Sequence, residues 1–295
     1  MKPDWRKIEF ENRGLSVRSV CFLGEGWNSR AYLVNDELVF RFPKRPEHWE
    51  ELEREIAFLA FAADDLPLAV PRYVQVAPDS PAAAYGYTVY RYLRGHAMDA
   101  NALTREQLAA AADVIAAFLR ALHSLQPSPE VGSLLPLEDA RMVAEEYLVQ
   151  AESKIAPKLP PVEAKALRTQ FEIYLGAPAN FLFRPVALHA DLGRDHVLVE
   201  DGSVVAAIDF GDVCWGDPDY DFMYLLINFG QAFVEKVARR YGHPDLEQLM
   251  IKLRYFDLVD QIGTILHGAG RALEGQEDAA WSRLKQLLRR RESGV

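Results

Sequence analysis

Cysteine is nearly absent from this 295-residue chain. Cys21 and Cys214 are the only two, they form no C-x-x-C pair, and they cannot supply the disulfide framework of a small secreted domain. A reducing, cytoplasmic setting is therefore expected. Long apolar runs are missing too: the longest, such as residues 222–227, fall far short of the ~20 residues a bilayer demands, and residues 1–7 lead into no apolar signal core. No membrane partner is expected. Positive charge is also scarce, with 33 Lys and Arg against 43 Asp and Glu and a net charge of −10, which argues against nucleic acid and favours cationic ligands. The local exception, Arg283, Lys285, Arg289, Arg290 and Arg291, reads as a solvated helix end.

What the chain has in quantity is core. Apolar residues make up 49% and aromatics 11%, enough for a folded globular protein, and at roughly 150 residues per domain the length suggests about two units. The first 93 residues read as a small antiparallel sheet. Strand patterns cover 17–23, 31–34 and 38–42, a helix follows over 49–62, and further strands cover 70–76 and 85–93. Residues 94–295 read as mostly helical. Leu108, Ala111, Ala112, Ile115, Leu119 and Leu122 share one helix face, with Thr104 and Gln107 in the spacing of a capping box. Helical patterns continue over 138–155, 161–176, 220–241, 245–272 and 277–291, interrupted by one β insertion over 186–209. The expected class is α+β, with two lobes and no internal repeat.

The insertion holds the densest chemistry. Asp201-Gly202 suits a two-residue type I′ turn, which sets Glu200 opposite Ser203 and, counting back, His196 opposite Ala207. Asp209 then sits diagonally from His196 on the same face, at the roughly 7–8 Å typical of such neighbours. An imidazole and a carboxylate would leave most of a magnesium ion's positions to phosphate oxygens and water. The structural alternative makes His196 an ordinary strand residue and Asp209 a turn former. Asp191, in the polar loop just before the hairpin, weighs against it, because a carboxylate there can meet a substrate hydroxyl beside the metal.

A second stretch, Gly24-Glu25-Gly26-Trp27-Asn28-Ser29, joins two strands with glycines that allow an anion close to backbone amides. Taken alone it is an ordinary hairpin pattern. Just downstream, Arg41 and Lys44 place cations at a strand end, and Glu55 lies on the next helix where it can hold one of them by an ion pair. Three residues apart on a strand, Arg41 and Lys44 point to opposite faces, so one of them faces the phosphates; Arg41, partnered by Glu55, is preferred.

His189-x-Asp191-x-x-x-x-His196, Ile208-Asp209-Phe210-Gly211-Asp212 and Gly216-Asp217-Pro218-x-x-Asp221 resemble the active-site motifs of the aminoglycoside phosphotransferases. The Gly-rich turn, the Phe-Arg-Phe-Pro-Lys strand, the Leu-Glu-Arg-Glu55 helix and Phe118-Leu-Arg-Ala-Leu-His123 occur in that family's order, so the likeness spans most of the chain. His196 and the Phe-Pro-Lys strand are most similar to the 2″-O-phosphotransferase branch.

The resemblance implies a bilobal protein-kinase-like fold and transfer of phosphate from ATP or GTP, with Mg2+, to a hydroxyl of a small polar cationic acceptor. It makes Asp191 the catalytic base or orienter and His196 and Asp209 the metal ligands. Gly24, Gly26, Asn28, Ser29, Arg41, Lys44 and Glu55 become nucleotide-binding residues, and Tyr90, Arg91, Tyr92 and Leu93 become the hinge that holds the purine. Asp212, Asp217 and Asp221 are expected to brace the loop, and His123 to be a core or capping residue. Glu138, Asp139, Glu145, Glu146, Asp257 and Asp260 are carboxylates that could meet acceptor ammonium groups. Three departures stand out: Ala190 for a common glycine, His196 for asparagine, and Arg41 where relatives commonly carry lysine. The same fold serves macrolide, hygromycin, choline and homoserine kinases, and a nucleotide-binding module with little catalysis is the non-enzyme alternative. The missing Ala-Pro-Glu segment disfavours a protein kinase.

Overall fold

The computed structural model describes residues 3–12, 14–268 and 275–289. The N-terminal lobe is a five-stranded sheet of β1 (Val20–Glu25), β2 (Ser29–Val34), β3 (Leu38–Pro43), β4 (Tyr73–Ala77) and β5 (Tyr87–Arg91), in the spatial order β1-β2-β3-β5-β4 with every pair antiparallel. Alternation along the strands gives the sheet two faces. Val34, Phe40, Phe42, Tyr87 and Val89 form one core with Ile8 of α1 (Trp5–Glu11), and Trp5 meets Tyr32, Phe40 and Phe42 edge to face. Leu33, Val39 and Tyr90, with Ala31, Tyr73 and Tyr92 beside them, form a second cluster on this sheet. Helix α1 has no counterpart in the sequence reading, because its seven residues carry a single buried position, Ile8. β1, β4 and β5 start two or three residues later than their sequence patterns, β2 starts two residues earlier and β3 as expected, while α2 (Trp49–Ala62) has the expected bounds.

The remainder is helical: α3 (Arg105–Ser124), α4 (Pro129–Gly132), α5 (Ala140–Gln150), α6 (Pro161–Gly176), α7 (Met223–Phe229), α8 (Gln231–Tyr241), α9 (Leu246–Gly268) and α10 (Gln276–Arg289). The capping box of α3 is formed, with Thr104 and Gln107 satisfying one another's backbone amides. Two helical patterns are shorter than periodicity suggested. Residues 151–155 close a π turn after α5, and Gly230, at φ 80 and ψ 170, breaks the pattern over 220–241 into α7 and α8. Among the basic residues near the C-terminus, Arg283 pairs with Asp257 and Arg289 with Glu163, while Arg290 and Arg291 lie outside the described residues. No described helix is long and apolar enough to cross a membrane.

Short strands anchor the β insertion: β6 (His96–Ala97), β8 (Val197–Glu200) and β9 (Ser203–Ala207) form one sheet, and β7 (Val186–Leu188) pairs with β10 (Cys214–Gly216). One aromatic fixes this region against both lobes. Phe210 is fully buried, 6.2 Å from Phe58 of α2, 6.4 Å from Phe118 of α3 and 4.4 Å from His189. Burying such a ring contributes roughly 1.5–3 kcal/mol, and it clamps the residues on either side of it.

Candidate active site

The type I′ turn forms as the sequence suggests, with Asp201 at φ 50, Gly202 at φ 77 and Glu200 opposite Ser203. The rest of the register differs by one. A β-bulge between Leu198 and Val199 sets Val197, not His196, opposite Ala207, and the Ile208 amide donates to His196 O at 2.9 Å. The bulge accommodates a crossing segment, because Ala69 donates to Val205 O and accepts from the Ala207 amide. Convergence survives for another reason: Asp209 adopts a left-handed backbone at φ 64, a conformation that aspartate tolerates, and its Oδ2 comes 3.6 Å from His196 Nε2.

The loop before the hairpin is held from below. Asp221 accepts from the His189 amide at 3.0 Å and the Ala190 amide at 2.7 Å, and its Oδ2 meets His123 Nε2 at 3.0 Å. These bonds support Ala190 at φ 66, the residue immediately before Asp191. His123 is thus a core residue, joined also to Tyr241 Oη at 3.0 Å. Asp217 caps the turn of residues 218–222 and, with Asp219, surrounds the buried ammonium of Lys252 at 2.5 Å each. Asp212 differs from these two bracing carboxylates, since it lines the cleft.

His189 is sealed in its neutral form. Its Nε2 donates to Ile208 O at 3.1 Å and its Nδ1 accepts from the Asp191 amide at 3.3 Å, so a second ring proton would face an N–H. Burial pushes its pKa down to about 4 from 6.5. The unfolded imidazole takes up a proton near 6.5 that the folded one refuses until about 4. Stability present at neutral pH is therefore lost as pH falls from about 6.5 toward 4, by up to about 3 kcal/mol. Unfolding midpoints measured across that window should fall more steeply for the native chain than for His189→Gln; parallel curves would exclude this origin.

Arg41 reaches into the cleft from β3. Its Nη1 donates to both oxygens of Glu55, at 2.9 and 2.8 Å, and to Tyr73 Oη at 3.0 Å, while its Nη2 meets Asp209 Oδ1 at 3.1 Å. Burial raises the Glu55 carboxyl against the pull of Arg41, and Tyr73 Oη donates to it at 2.8 Å, so this fully buried acid is fully partnered. Lys44 lies elsewhere: its ammonium caps Gly26 O at 2.7 Å and pairs with Glu25 at 2.6 Å, bracing the Gly-rich turn from outside the cleft. The Glu25 carboxyl, bound by Arg30 and Lys44, is held down to about 2.

Within the turn, the Gly26 amide closes on Ser29 O at 3.0 Å, and Asn28 O accepts from the Lys44 amide at 2.9 Å. The Asn28 side-chain amide contacts Glu51, and Ser29 Oγ accepts from Arg41 Nε at 3.4 Å. A Cβ at Gly24 or Gly26 would meet nothing within 4 Å, and of the two only Gly26 lines the cleft. At the segment expected to be the hinge, Tyr90 is buried and Arg91 ends β5, with Leu93 partly buried beyond. The Tyr92 amide donates to Glu37 O at 2.8 Å and is committed to the sheet.

One cavity collects Gly26, Asn28, Ser29, Arg41, Glu55, Asp191, His196 and Asp209. Glu51, His48 and Trp27 line it as well and were missed in the sequence reading. Glu51 had a signal, for it lies one helical turn before Glu55 on α2. Burial, reinforced by Asp212, Asp209 and Asp260 and opposed by His196, pushes the Asp191 carboxyl up to about 7. Burial works against a charged His196, but Asp191 and Asp209 outweigh it and hold its pKa above the ordinary value. His196 Nδ1 donates to Asp191 O at 2.7 Å, which turns Nε2 toward Asp209. Of the helical-lobe carboxylates, Asp139 caps α5 and Asp257 is buried against Arg283, so both are committed to structure. Asp260 accepts from Tyr224 Oη at 2.7 Å.

The profile of the phosphotransferase enzyme family matches residues 19–256. The chain belongs to that family. Solved relatives agree with the assignment along nearly the whole length of this phosphotransferase. The GDP complex of wild-type aminoglycoside 2'-phosphotransferase-IIIa superposes with a TM-score of 0.90 at 26% identity, covering 97% of this chain and 98% of that one. The GDP and kanamycin complex of APH(2")-IIia gives a TM-score of 0.89 at 27% identity, covering 98% and 99%. Macrolide 2'-phosphotransferase MphH from Brachybacterium faecium shares the fold, with a TM-score of 0.72 at 20% identity over 94% and 95% of the two chains. The phosphotransferase thus has the bilobal kinase-like α+β fold and is an enzyme that phosphorylates hydroxyl groups.

Proposed function

We propose that this phosphotransferase moves the γ-phosphoryl group of ATP or GTP to a hydroxyl of an aminoglycoside. The observation that carries the reading is the convergence of Asp191, His196, Asp209 and Arg41 on one cleft beneath the Gly-rich turn. Relatives of similar length and fold hold GDP, one of them together with kanamycin. A cytoplasmic setting, where nucleoside triphosphates are supplied, suits its two free cysteines.

The donor set fits magnesium. His196, once neutral, would offer Nε2, since its Nδ1 is committed to Asp191 O, and Asp209 would offer a carboxylate oxygen; among the described residues no group of three His, Cys, Asp or Glu is arranged to hold an ion unaided. Two protein ligands suit an ion that arrives with its nucleotide and takes its remaining ligands from phosphate and water. Held by His196 and Asp209, magnesium would supply positive charge against the phosphate oxygens. Arg41 adds a fixed cation, already oriented by Glu55. The hinge carbonyl of Arg91 and amide of Leu93 take the purine edge, since the Tyr92 amide is occupied. Asp191 orients the acceptor hydroxyl and receives its proton, a task for which a carboxyl near neutral pKa is matched. Asp260 and Asp212 supply negative charge around that position, which favours a cationic acceptor.

Arg41→Ala should raise the nucleotide KM and lower kcat more than Lys44→Ala does, because Lys44 acts only through the turn. Steady-state kinetics of both variants decide this, and a larger loss in Lys44→Ala would reverse the assignment. The function itself is tested by phosphate transfer to a panel of aminoglycosides, macrolides and small alcohols. Saturable transfer to aminoglycosides is expected; transfer confined to the other classes would reject the acceptor.

A further inference from the structure

Helix α2 reaches the metal loop twice. Its Glu55 acts through Arg41, whose other nitrogen holds Asp209 Oδ1. The preceding residue, Arg54, crosses between the lobes directly: its Nη2 donates to Gly211 O at 3.1 Å, and its Nε is buried without a hydrogen-bond partner. Phosphate binding explains Glu55 but gives Arg54 no task.

The segment that Arg54 grips needs holding. Asp209 sits at φ 64, outside the regions most side chains prefer, and its carboxylate must aim at one point. Phe210 locks the middle of the segment into the core between Phe58 and Phe118. The Gly211 peptide beyond it carries no side chain; the guanidinium of Arg54 ties it to the N-terminal lobe through its carbonyl, and the same charge acts on the neighbouring Asp212 carboxyl. A charged donor on a carbonyl is a strong tie, and two consecutive residues of one helix thus fix the loop before and after Phe210.

Resting on the functional reading above, we infer that Arg54 is a positioning residue that couples α2 to the metal loop and sets the aim of Asp209 at the magnesium–nucleotide. Arg54 touches neither substrate nor metal in this role. A shift of α2 would therefore change magnesium affinity as well as phosphate contact.

The test uses the full-length chain with AMPPNP and GMPPNP, titrated by calorimetry in EDTA and over a range of magnesium concentrations. R54M should bind metal-free nucleotide within about two-fold of the native enzyme, yet need roughly ten-fold more magnesium for half-maximal tightening, the effect of losing one charge-assisted hydrogen bond. Its kcat should recover as magnesium is raised, with the acceptor KM unchanged. R54K, which keeps a shorter donor, should shift the magnesium midpoint by a smaller factor and serves if R54M fails to fold. A lowered melting temperature with a native magnesium midpoint in both variants would make Arg54 a brace between lobes and overturn the inference. Absence of any magnesium effect on nucleotide binding in the native enzyme would instead reject the functional reading on which it rests.

Discussion

Asp191→Asn is expected to leave nucleotide affinity unchanged and to lower kcat by roughly 10²–10⁴-fold, the range for losing a positioned general base. In the proposed mechanism the carboxylate acts on the acceptor hydroxyl while the turn, hinge, Arg41 and metal ligands hold the nucleotide, so the loss should fall on kcat with little change in either KM. Structural damage should be small. The backbone of Asp191, which accepts from His196 Nδ1 and donates to His189, is retained in the variant, and Asp221 still supports the preceding amides. Calorimetric nucleotide titration beside steady-state transfer separates the two quantities. Near-normal turnover would mean that Asp191 is structural and that the mechanism is wrong.

The second large effect is expected at Asp209. Asp209→Asn removes the negative charge facing His196 Nε2 and pairing with Arg41 Nη2, and should cut transfer by at least roughly 10²–10³-fold, as for loss of a preorganised electrostatic group. Magnesium-dependent nucleotide binding should weaken with it. Binding of metal-free nucleotide should stay the same or tighten, because a carboxylate that repels phosphate is gone. The opposite signs of these two effects distinguish a metal ligand from a residue that only shapes the loop. A native magnesium dependence in the variant would exclude Asp209 as a ligand.

Features carried by neighbours in the chain were legible directly. The Thr104–Gln107 capping box and the Asp201-Gly202 turn follow from contacts within a few residues, whose energetics do not depend on what packs against them, and the bounds of α2 follow from the spacing of its apolar residues. Where a distant partner intervened, reading failed or succeeded for the wrong reason. The one-residue register shift at Leu198 and Val199 answers to Ala69, more than a hundred residues away. His196 and Asp209 meet through the left-handed backbone of Asp209, not through the diagonal pairing that the turn suggested.

By itself, then, the sequence determined that this is a two-part α+β protein with a Gly-rich turn, a His-x-Asp loop and an Asp-Phe-Gly segment, because periodicity, turn chemistry and residue spacing are local properties. Only the tertiary structure decided which charges work together. It sent Arg41 into the cleft between Glu55 and Asp209 and Lys44 to the back of the turn, and it added Glu51 to the lining. It also withdrew Asp257 to pair with Arg283 and gave Arg54 a carbonyl in the opposite lobe. The physical reason is that a charge is costly to bury without a partner, and the partners here come from strands, helices and loops that the chain brings together only on folding.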